Sequence, residues 1–409
     1  MSTTFVYHVF AARTYDSLRT LYQNGAVYFH LIKKAHLRRC VCCRSTQITL
    51  EGRVELTLHS LPIGKKKTFL VLHLHRLRCH RCGALRQESR DVAGERKLYT
   101  TALGRLAVEL AEHMTLQSVA DYVGLDWETV KDLLKDELRR RVKRRRLRRV
   151  HTLAIDEVAV RKGHRYLTVV VDLDSGQVLF VIPGRDHQAL RPVFARLRAA
   201  RAKLRAIAVD MSAAFLKGIQ LFAPPGVVVV HDPFHLVAAI NDVLDEVRRC
   251  EQQRLEGQGK RVLKGGRYLL LANGEDLPSQ PAKASRLQAL LAANQTLHQV
   301  YLLKEDLRRL WSQPDKQAAT TFLHKWLLDA FVLAAEAHLP PLHRFASTLL
   351  SAFARVVSWY DFPISTGPLE GLNNKIKVLK RTAYGFRDQD FFILRILCLH
   401  QTRFQLTGV

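Results

Sequence analysis

Acidic side chains are scarce in this chain. Its 409 residues hold 37 Asp and Glu against 64 Lys and Arg, a formal net charge of +27. That imbalance favours a polyanionic partner, because each neutralised phosphate releases counterions. It sets a class and no mechanism, since a basic protein of the ribosome or of a membrane surface would carry the same charge. Long apolar runs are missing too. No stretch reaches the roughly 18 residues of a membrane helix, and Met1–His8 lacks a basic segment followed by an apolar one. The expectation is a soluble cytoplasmic protein, at the nucleoid if it binds DNA, with no membrane partner. Cysteine is sparse: seven residues are too few for a disulfide scaffold, yet five of them fall before residue 83. Such clustering suggests metal. The apolar fraction of 47% is ample for a core, and the length predicts two or three domains.

What is present is read from the N-terminus. Residues 1–35 carry no clear pattern. Cys40-Val41-Cys42-Cys43 and Cys79-His80-Arg81-Cys82 form two knuckles with 35 residues between Cys43 and Cys79. Four thiolates suit tetrahedral Zn²⁺, each CxxC spanning one edge. Cys40, Cys43, Cys79 and Cys82 are the expected ligands of a structural zinc. Cys42 competes for a place in the first knuckle, His80 is a weaker alternative, and Arg44 stands where a turn glycine is common. Thr68–Arg78 alternates with period 2, as a strand entering the second knuckle would.

Residues 100–138 turn helical. Leu103, Leu106, Ala107 and Leu110 recur at helical spacing. A short helix from Leu116 stops at Gly124, and another starts after Asp126, a good N-cap. This rhythm predicts a helix-turn-helix, with Trp127, Thr129 and Lys131 at its DNA face. A plain three-helix connector is the alternative. Nine of the eleven residues from Arg139 to Arg149 are basic. Arg139, Arg140, Arg141, Arg144, Arg145 and Arg146 are expected to meet phosphates, which supplies affinity and little sequence choice. A solvated helix face is the bland reading of the same run.

The next block is strand-rich: Thr152–Asp156, Tyr166–Asp172, Gln177–Ile182, Ile207–Asp210 and Val227–His231. Strands alternating with helices predict an α/β layout. From about Val237 to Trp359 strands disappear, and helices are interrupted by loops at Gly257–Gly266 and Gly274–Pro281. Asp156 and Asp210 each end an apolar run, and Glu370 opens a helix. Carboxylate oxygens suit hard divalent cations, and two such cations can clamp the attacking and leaving oxygens of a phosphodiester. Glu157, Asp172 and Asp174 are rivals, the last two reading as turn residues. From Glu370, Asn374, Lys377 and Arg381 follow at i+4, i+7 and i+11, one helical stripe suited to a scissile phosphate and its flanking backbone. An ordinary solvated face is the alternative. His235, in Asp232-Pro233-Phe234-His235, is a candidate for proton transfer or phosphate contact.

These residues together resemble the bacterial insertion-sequence transposases of the DDE superfamily, of the ISL-three type, over nearly the whole chain. The knuckles look like that family's zinc ribbon. Ala154-Ile155-Asp156-Glu157, followed by Lys162-Gly163-His164-Arg165-Tyr166, is similar to its first catalytic strand, and Val209-Asp210-Met211 to its second. Asp232-Pro233-Phe234-His235 resembles an Asp-x-x-His motif. Leu369-Glu370-Gly371-Leu372-Asn373-Asn374-Lys375-Ile376-Lys377, with Lys380-Arg381-Thr382-Ala383-Tyr384-Gly385, is similar to its most specific segment. The resemblance implies an RNase H-like α/β catalytic core with a long helical insertion at about 237–360. It places a zinc-ribbon region at 1–98, a helix-turn-helix and basic segment at 99–150, and the catalytic part at 151–409. It also implies cleavage of double-stranded DNA at transposon ends and joining of 3′-hydroxyls to target DNA. Asp156, Asp210 and Glu370 would hold two Mg²⁺ per site, with Mn²⁺ able to substitute. Pairing of two ends predicts a homodimer or larger assembly. A nuclease that cuts without joining, and a non-catalytic zinc and helix-turn-helix regulator, are the competing readings.

Overall fold

The computed structural model describes residues 3–161, 165–254, 263–272 and 279–399. Lys162, Gly163 and His164 of the first-strand motif lie outside these, as do most of the Gly257–Gly266 loop and of the Gly274–Pro281 loop. The chain divides into two compact units, with the boundary between Arg144 and Arg145. Among the described residues no helix is long and apolar enough to cross a membrane.

In the first unit, strands β1 (Tyr15–Gln23), β2 (Ala26–Lys33), β3 (Ile48–Ile63), β4 (Lys66–Cys79) and β5 (Leu85–Gln87) form one sheet. Its order is β1-β2-β4-β3, with β5 also on β4. The patternless stretch 1–35 therefore holds a helix, Thr3–Phe10, and two strands. Their inward residues Val6, Phe10, Tyr15, Phe29 and Leu31 share a core with Leu58, Leu70, Leu72 and Leu74. Strand β2 defeats the period-2 test because apolar residues occupy both its faces, as in strands covered on both sides.

Three helices follow in this unit: Thr101–Leu110, Leu116–Val123 and Trp127–Lys143. Each start is capped by a side chain accepting a backbone N–H, from Thr100, Thr115 and Asp126. Gly124 ends the second at φ 66°, its N–H donating to Ala120 O at 2.9 Å. Left-handed backbone there favours glycine, and a Cβ would meet His59 Cε1 at 3.0 Å. Val119, Val123, Val130 and Leu134 are buried along the helices.

The second unit is built on strands β6 (Thr152–Arg161), β7 (Arg165–Asp172), β8 (Val178–Pro183), β9 (Ala206–Val209) and β10 (Val228–His231). Their order is β10-β9-β6-β7-β8. Strands β6, β7 and β8 are antiparallel neighbours, whereas β9 and β10 run parallel to β6. Helices Arg191–Ala199 and Ala213–Phe222 contribute Val193, Phe194, Leu197, Phe215 and Ile219 to a core with Leu153, Ile155, Ile207 and Val209. The helical stretch from Pro233 to Val357 has its own core, including Leu236, Leu244, Leu323, Trp326 and Leu342. The chain then enters helices Gly367–Thr382 and Gln389–Leu397. The expected α/β layout is present as two mixed sheets with many helices.

One sequence expectation needs correction. Asp156 does not end its strand: β6 continues to Arg161. The parallel partner β9 stops opposite Ile155, at Val209, while antiparallel pairing with β7 carries on through Asp156 and beyond. Asp156 is thus the first β6 residue past the end of β9.

Candidate active site and metal centre

The parallel register explains how the carboxylates meet. Ile155 pairs with Val209 and Val209 with His231. The next residue of each chain segment is an aspartate: Asp156, Asp210 and Asp232. In-register residues of parallel neighbours lie roughly 4.8 Å apart and point to one face. Three aspartates thus follow one another across β6, β9 and β10. Asp210 Oδ1 accepts the Ser212 N–H at 3.0 Å. Burial pushes the Asp210 carboxyl above its usual range, and the like charge of Asp156 adds to this against the pull of the Ser212 N–H and His235. Asp232 is only 1% exposed. Its own N–H donates to Val209 O at 3.3 Å, and its Oδ1 accepts the Phe234 N–H at 3.3 Å.

Helix Gly367–Thr382 is tied to these strands at two points. The Thr366 hydroxyl donates to Asp232 Oδ2. Asn373 Nδ2 donates to Asp156 Oδ2 at 2.9 Å. Glu370 lies between the two ties, four residues after one and three before the other. From 366 to 373 an α-helix rises about 10.5 Å, and two strand spacings from β10 to β6 measure about 9.6 Å. The helix segment therefore spans the intervening strand, β9, which Asp210 follows. Pro368 starts this helix and Glu370 sits in its first turn, where a carboxylate complements the helix dipole. The Glu370 side chain is exposed. Among the described residues, the three carboxylates do not form a ligand group with all atoms within 4.8 Å of one another.

Glu157, the rival of Asp156, faces the other way and pairs with Arg185 at 3.6 Å. Asp172 accepts from Ser175 and from the Asp174 N–H, as a turn residue does. His235 Nε2 lies 3.8 Å from Asp232 Oδ2. Sequence reasoning missed Asn373 and took its neighbour Asn374. Asn374, Lys377 and Arg381 are all exposed on the helix, and the contact with Asp156 falls at i+3 from Glu370, not at i+4. The signal was there in the adjacent pair Asn373-Asn374, where either spacing returns to one face.

The cysteines are assembled differently. Strands β3 and β4 form a long hairpin whose register sets Ile48 opposite Cys79. That closes the 35-residue gap and brings the knuckles together. Sγ atoms of Cys40, Cys43, Cys79 and Cys82 all lie within 4.8 Å of one another. Cys40 is 3.6 Å from Cys82, and Cys43 is 3.5 Å from Cys79. Both knuckles make one turn: the Arg44 N–H donates to Cys40 O, and the Gly83 N–H to Cys79 O, each at 2.9 Å. Arg44 takes φ 58° and Gly83 φ 68°, so the arginine adopts the glycine-like conformation of its counterpart. Backbone N–H groups of Cys43 and Cys42 bring the Cys40 thiol down to about 6, which favours thiolate. Cys42 is exposed and outside the cluster. His80 Nε2 is 2.6 Å from Thr49 Oγ1, on the outside of the turn. The donor set fits a closed tetrahedral metal site.

The basic run separates into different roles. Arg139 pairs with Asp136, Arg140 with Glu137, and Arg141 with Glu112 and Glu137. Arg145 departs from its expected role: its guanidinium donates to the carbonyls of Val178, Leu179 and Leu397, and burial depresses its basicity. It is a structural tie within the second unit. Arg144 and Arg146 are exposed and form no ion pair among the described residues. On the third helix of the first unit, Lys131 Nζ sits 5.2 Å from the Trp127 ring centroid, with Trp127 42% exposed. The Thr129 hydroxyl donates to Asp126 Oδ2 at 2.6 Å, so it also serves the helix cap.

Sequence comparisons bear on the same segments. Residues 153–396 match a family model described as a transposase, DDE_Tnp_ISL3. Residues 91–137 match the helix-turn-helix domain of transposase family ISL3. The chain belongs to the ISL3 family of transposases. Two curated relatives extend over most of this ISL3 chain. The transposase for insertion sequence element IS1001 of Bordetella parapertussis is 36% identical over 358 residues, 87% of this chain and 86% of that one. The transposase for insertion sequence element IS1557 of Mycobacterium tuberculosis is 28% identical over 407 residues, covering 92% and 89%. A solved Drosophila P element transposase strand transfer complex shows 11% identity and a TM-score of 0.39 over 74% of this chain and 92% of that one. As an ISL3 transposase, the protein is a DNA-acting, metal-dependent polynucleotidyl transferase.

Proposed function

We propose that this transposase cuts DNA at the ends of its insertion sequence and joins the freed 3′-hydroxyls to target DNA, using Asp156, Asp210 and Glu370 to hold two Mg²⁺ or Mn²⁺ ions. The observation that carries this reading is the pair of ties that bracket Glu370 and fasten its helix to Asp156 and Asp232, on either side of Asp210. Two features fit a cation. Burial raises the Asp210 carboxyl, and the like charge of Asp156 adds to it, so a bound cation would offset both. Asn373 Oδ1, beside Asp156, is buried without a hydrogen-bond partner, and a neutral amide oxygen is a donor that hard cations accept.

Bound divalent cations supply electrostatic stabilisation of the attacking and leaving oxygens of the phosphodiester. The chain's residues do the rest. Asn373 Nδ2 and the Glu157 N–H fix the Asp156 carboxylate. His235, near Asp210, holds or moves a proton at the phosphate oxygens. Asn374, Lys377 and Arg381 hold the flanking strand. Trp127 and Lys131, with Arg144 and Arg146 and the ion-paired Arg139 to Arg141, contact the terminal repeats. The four cysteines hold a structural Zn²⁺. The second unit is an RNase H-like core, supported by an antiparallel trio of strands extended by two parallel ones with aspartates at adjacent ends. Pairing of two ends calls for a homodimer or larger assembly, acting on the nucleoid.

The test uses the full chain, Mg²⁺ and oligonucleotides copied from the DNA that flanks its gene. Wild type should nick these ends and join pre-cut 3′-hydroxyl ends to plasmid. Asp156→Asn should keep end binding and lose at least about 10³-fold in both reactions. Joining at the wild-type rate by Asp156→Asn would remove the metal assignment. Cutting with no joined product would favour a plain nuclease.

A further inference from the structure

We infer that Asp232 is a positioning residue for Glu370, acting through the Thr366 hydroxyl to set where the Gly367–Thr382 helix crosses the strand ends. The inference rests on the assignment of Glu370 proposed above. Asp232 is 1% exposed and Thr366 is 3% exposed. A carboxyl group at such a site needs hydrogen-bond partners, and Asp232 has them: the Thr366 hydroxyl and the Phe234 N–H, with His235 at 3.8 Å. They lie in the first turn of the helix Pro233–Arg254, which follows β10, or at the threshold of the Glu370 helix. The Thr366 side chain makes no capping hydrogen bond to its own helix, although that is the common use of a threonine at such a position. Its hydroxyl is spent across the fold instead.

The second tie, from Asn373 to Asp156, fixes the same helix seven residues later. One tie would leave the helix free to pivot about it. Two ties, spaced like two strand separations, leave one orientation, with Glu370 between them. Asp232 thus contributes without touching the reacting phosphate. Its buried carboxylate converts the register of β10 into the placement of a carboxylate more than a hundred residues later in the chain.

The test measures Mn²⁺ binding to the full-length protein without DNA, by calorimetry, alongside cleavage of end DNA. Thr366→Val keeps the shape and removes the hydroxyl. It should weaken Mn²⁺ binding by roughly 10–100-fold and lower cleavage turnover while leaving the KM for end DNA near wild type. Thr366→Ser, which restores a hydroxyl, should recover most of the loss. Asp232→Asn, which still offers an oxygen acceptor, should fall between, and adding Thr366→Val to it should cost less than the two changes summed. Wild-type Mn²⁺ binding by Thr366→Val overturns the inference, as does equal impairment of Thr366→Val and Thr366→Ser. Asp156→Asn separates the levels. If it binds Mn²⁺ like wild type, the underlying site reading fails. If it loses Mn²⁺ while Thr366→Val does not, only the positioning role fails.

Discussion

The cysteine cluster and the proposed carboxylate site address one problem, gathering distant side chains, by opposite means. The cysteines come from two short turns joined by one hairpin, and their four sulfurs lie within 4.8 Å of one another. The carboxylates come from two neighbouring strands and a helix some 214 residues after Asp156, and the trio is not drawn to that closeness. The thiols are soft donors at one end of one hairpin, and their sulfurs sit close enough to share a single ion. Carboxylates cost more to gather: burial raises the affinity of Asp210 for a proton, and the like charge of Asp156 adds to it. A structural site gains from being preformed and closed. A catalytic site has to keep a side open for DNA.

That contrast can be broken by experiment, beginning with the largest effect. Cys79→Ser should reduce zinc from one per chain to none by mass spectrometry and unfold the β3–β4 end of the first unit, since structural zinc contributes about 10 kcal/mol or more to such sites. Retention of zinc and of end binding would show that the cluster is not a cage. Next come the arginines. Arg144→Ala and Arg146→Ala should each reduce the slope of log affinity against log salt by about 1. Arg145→Ala should leave that slope unchanged and instead cost about 3 kcal/mol of stability in chemical denaturation, because it strands buried carbonyls. The smallest effect belongs to Asp210. Its raised carboxyl means that the folded state holds this proton more tightly than the unfolded state does. The metal-free protein therefore loses stability as pH climbs from the unfolded value, about 3.9, through the higher folded one. Asp210→Asn removes that dependence. Near neutral pH it should raise the melting temperature of metal-free protein by about 2–4 °C for each kcal/mol recovered, while abolishing cleavage. A lower melting temperature would show that burying the Asp210 charge carries no such cost.

Local chemistry made much of this legible in advance. The knuckle spacing marked Cys40, Cys43, Cys79 and Cys82, and the structure brings those four together. The spacing of Leu103, Leu106, Ala107 and Leu110, the stop at Gly124 and the Asp126 N-cap marked the three helices, because such signals act within a turn or two of the residues they serve. Apolar runs marked the five strands of the second unit. Other features stayed hidden for equally physical reasons. Strand β2 is apolar on both faces, so alternation gave no sign of it. The extent of β6 depends on β7, which continues pairing after β9 has stopped. Arg145 looked like its neighbours, and only the fold aims its guanidinium at three carbonyls. Helical spacing pointed to Asn374, and only the packing of the helix through its buried residues Leu369, Leu372, Ile376 and Leu379 turns Asn373 to Asp156.

Composition and spacing alone determined the taste for a polyanion, the soft-metal knuckles, the helix-turn-helix and the identity of three acidic candidates. These follow from properties that a residue carries with it or shares with near neighbours. Tertiary structure alone decided that Asp156, Asp210 and Asp232 stand in a row, that Asp232 grips Thr366, and that Asn373 meets Asp156. Such contacts depend on strand register and helix placement, which are set by the packing of whole surfaces and leave no local mark on the chain.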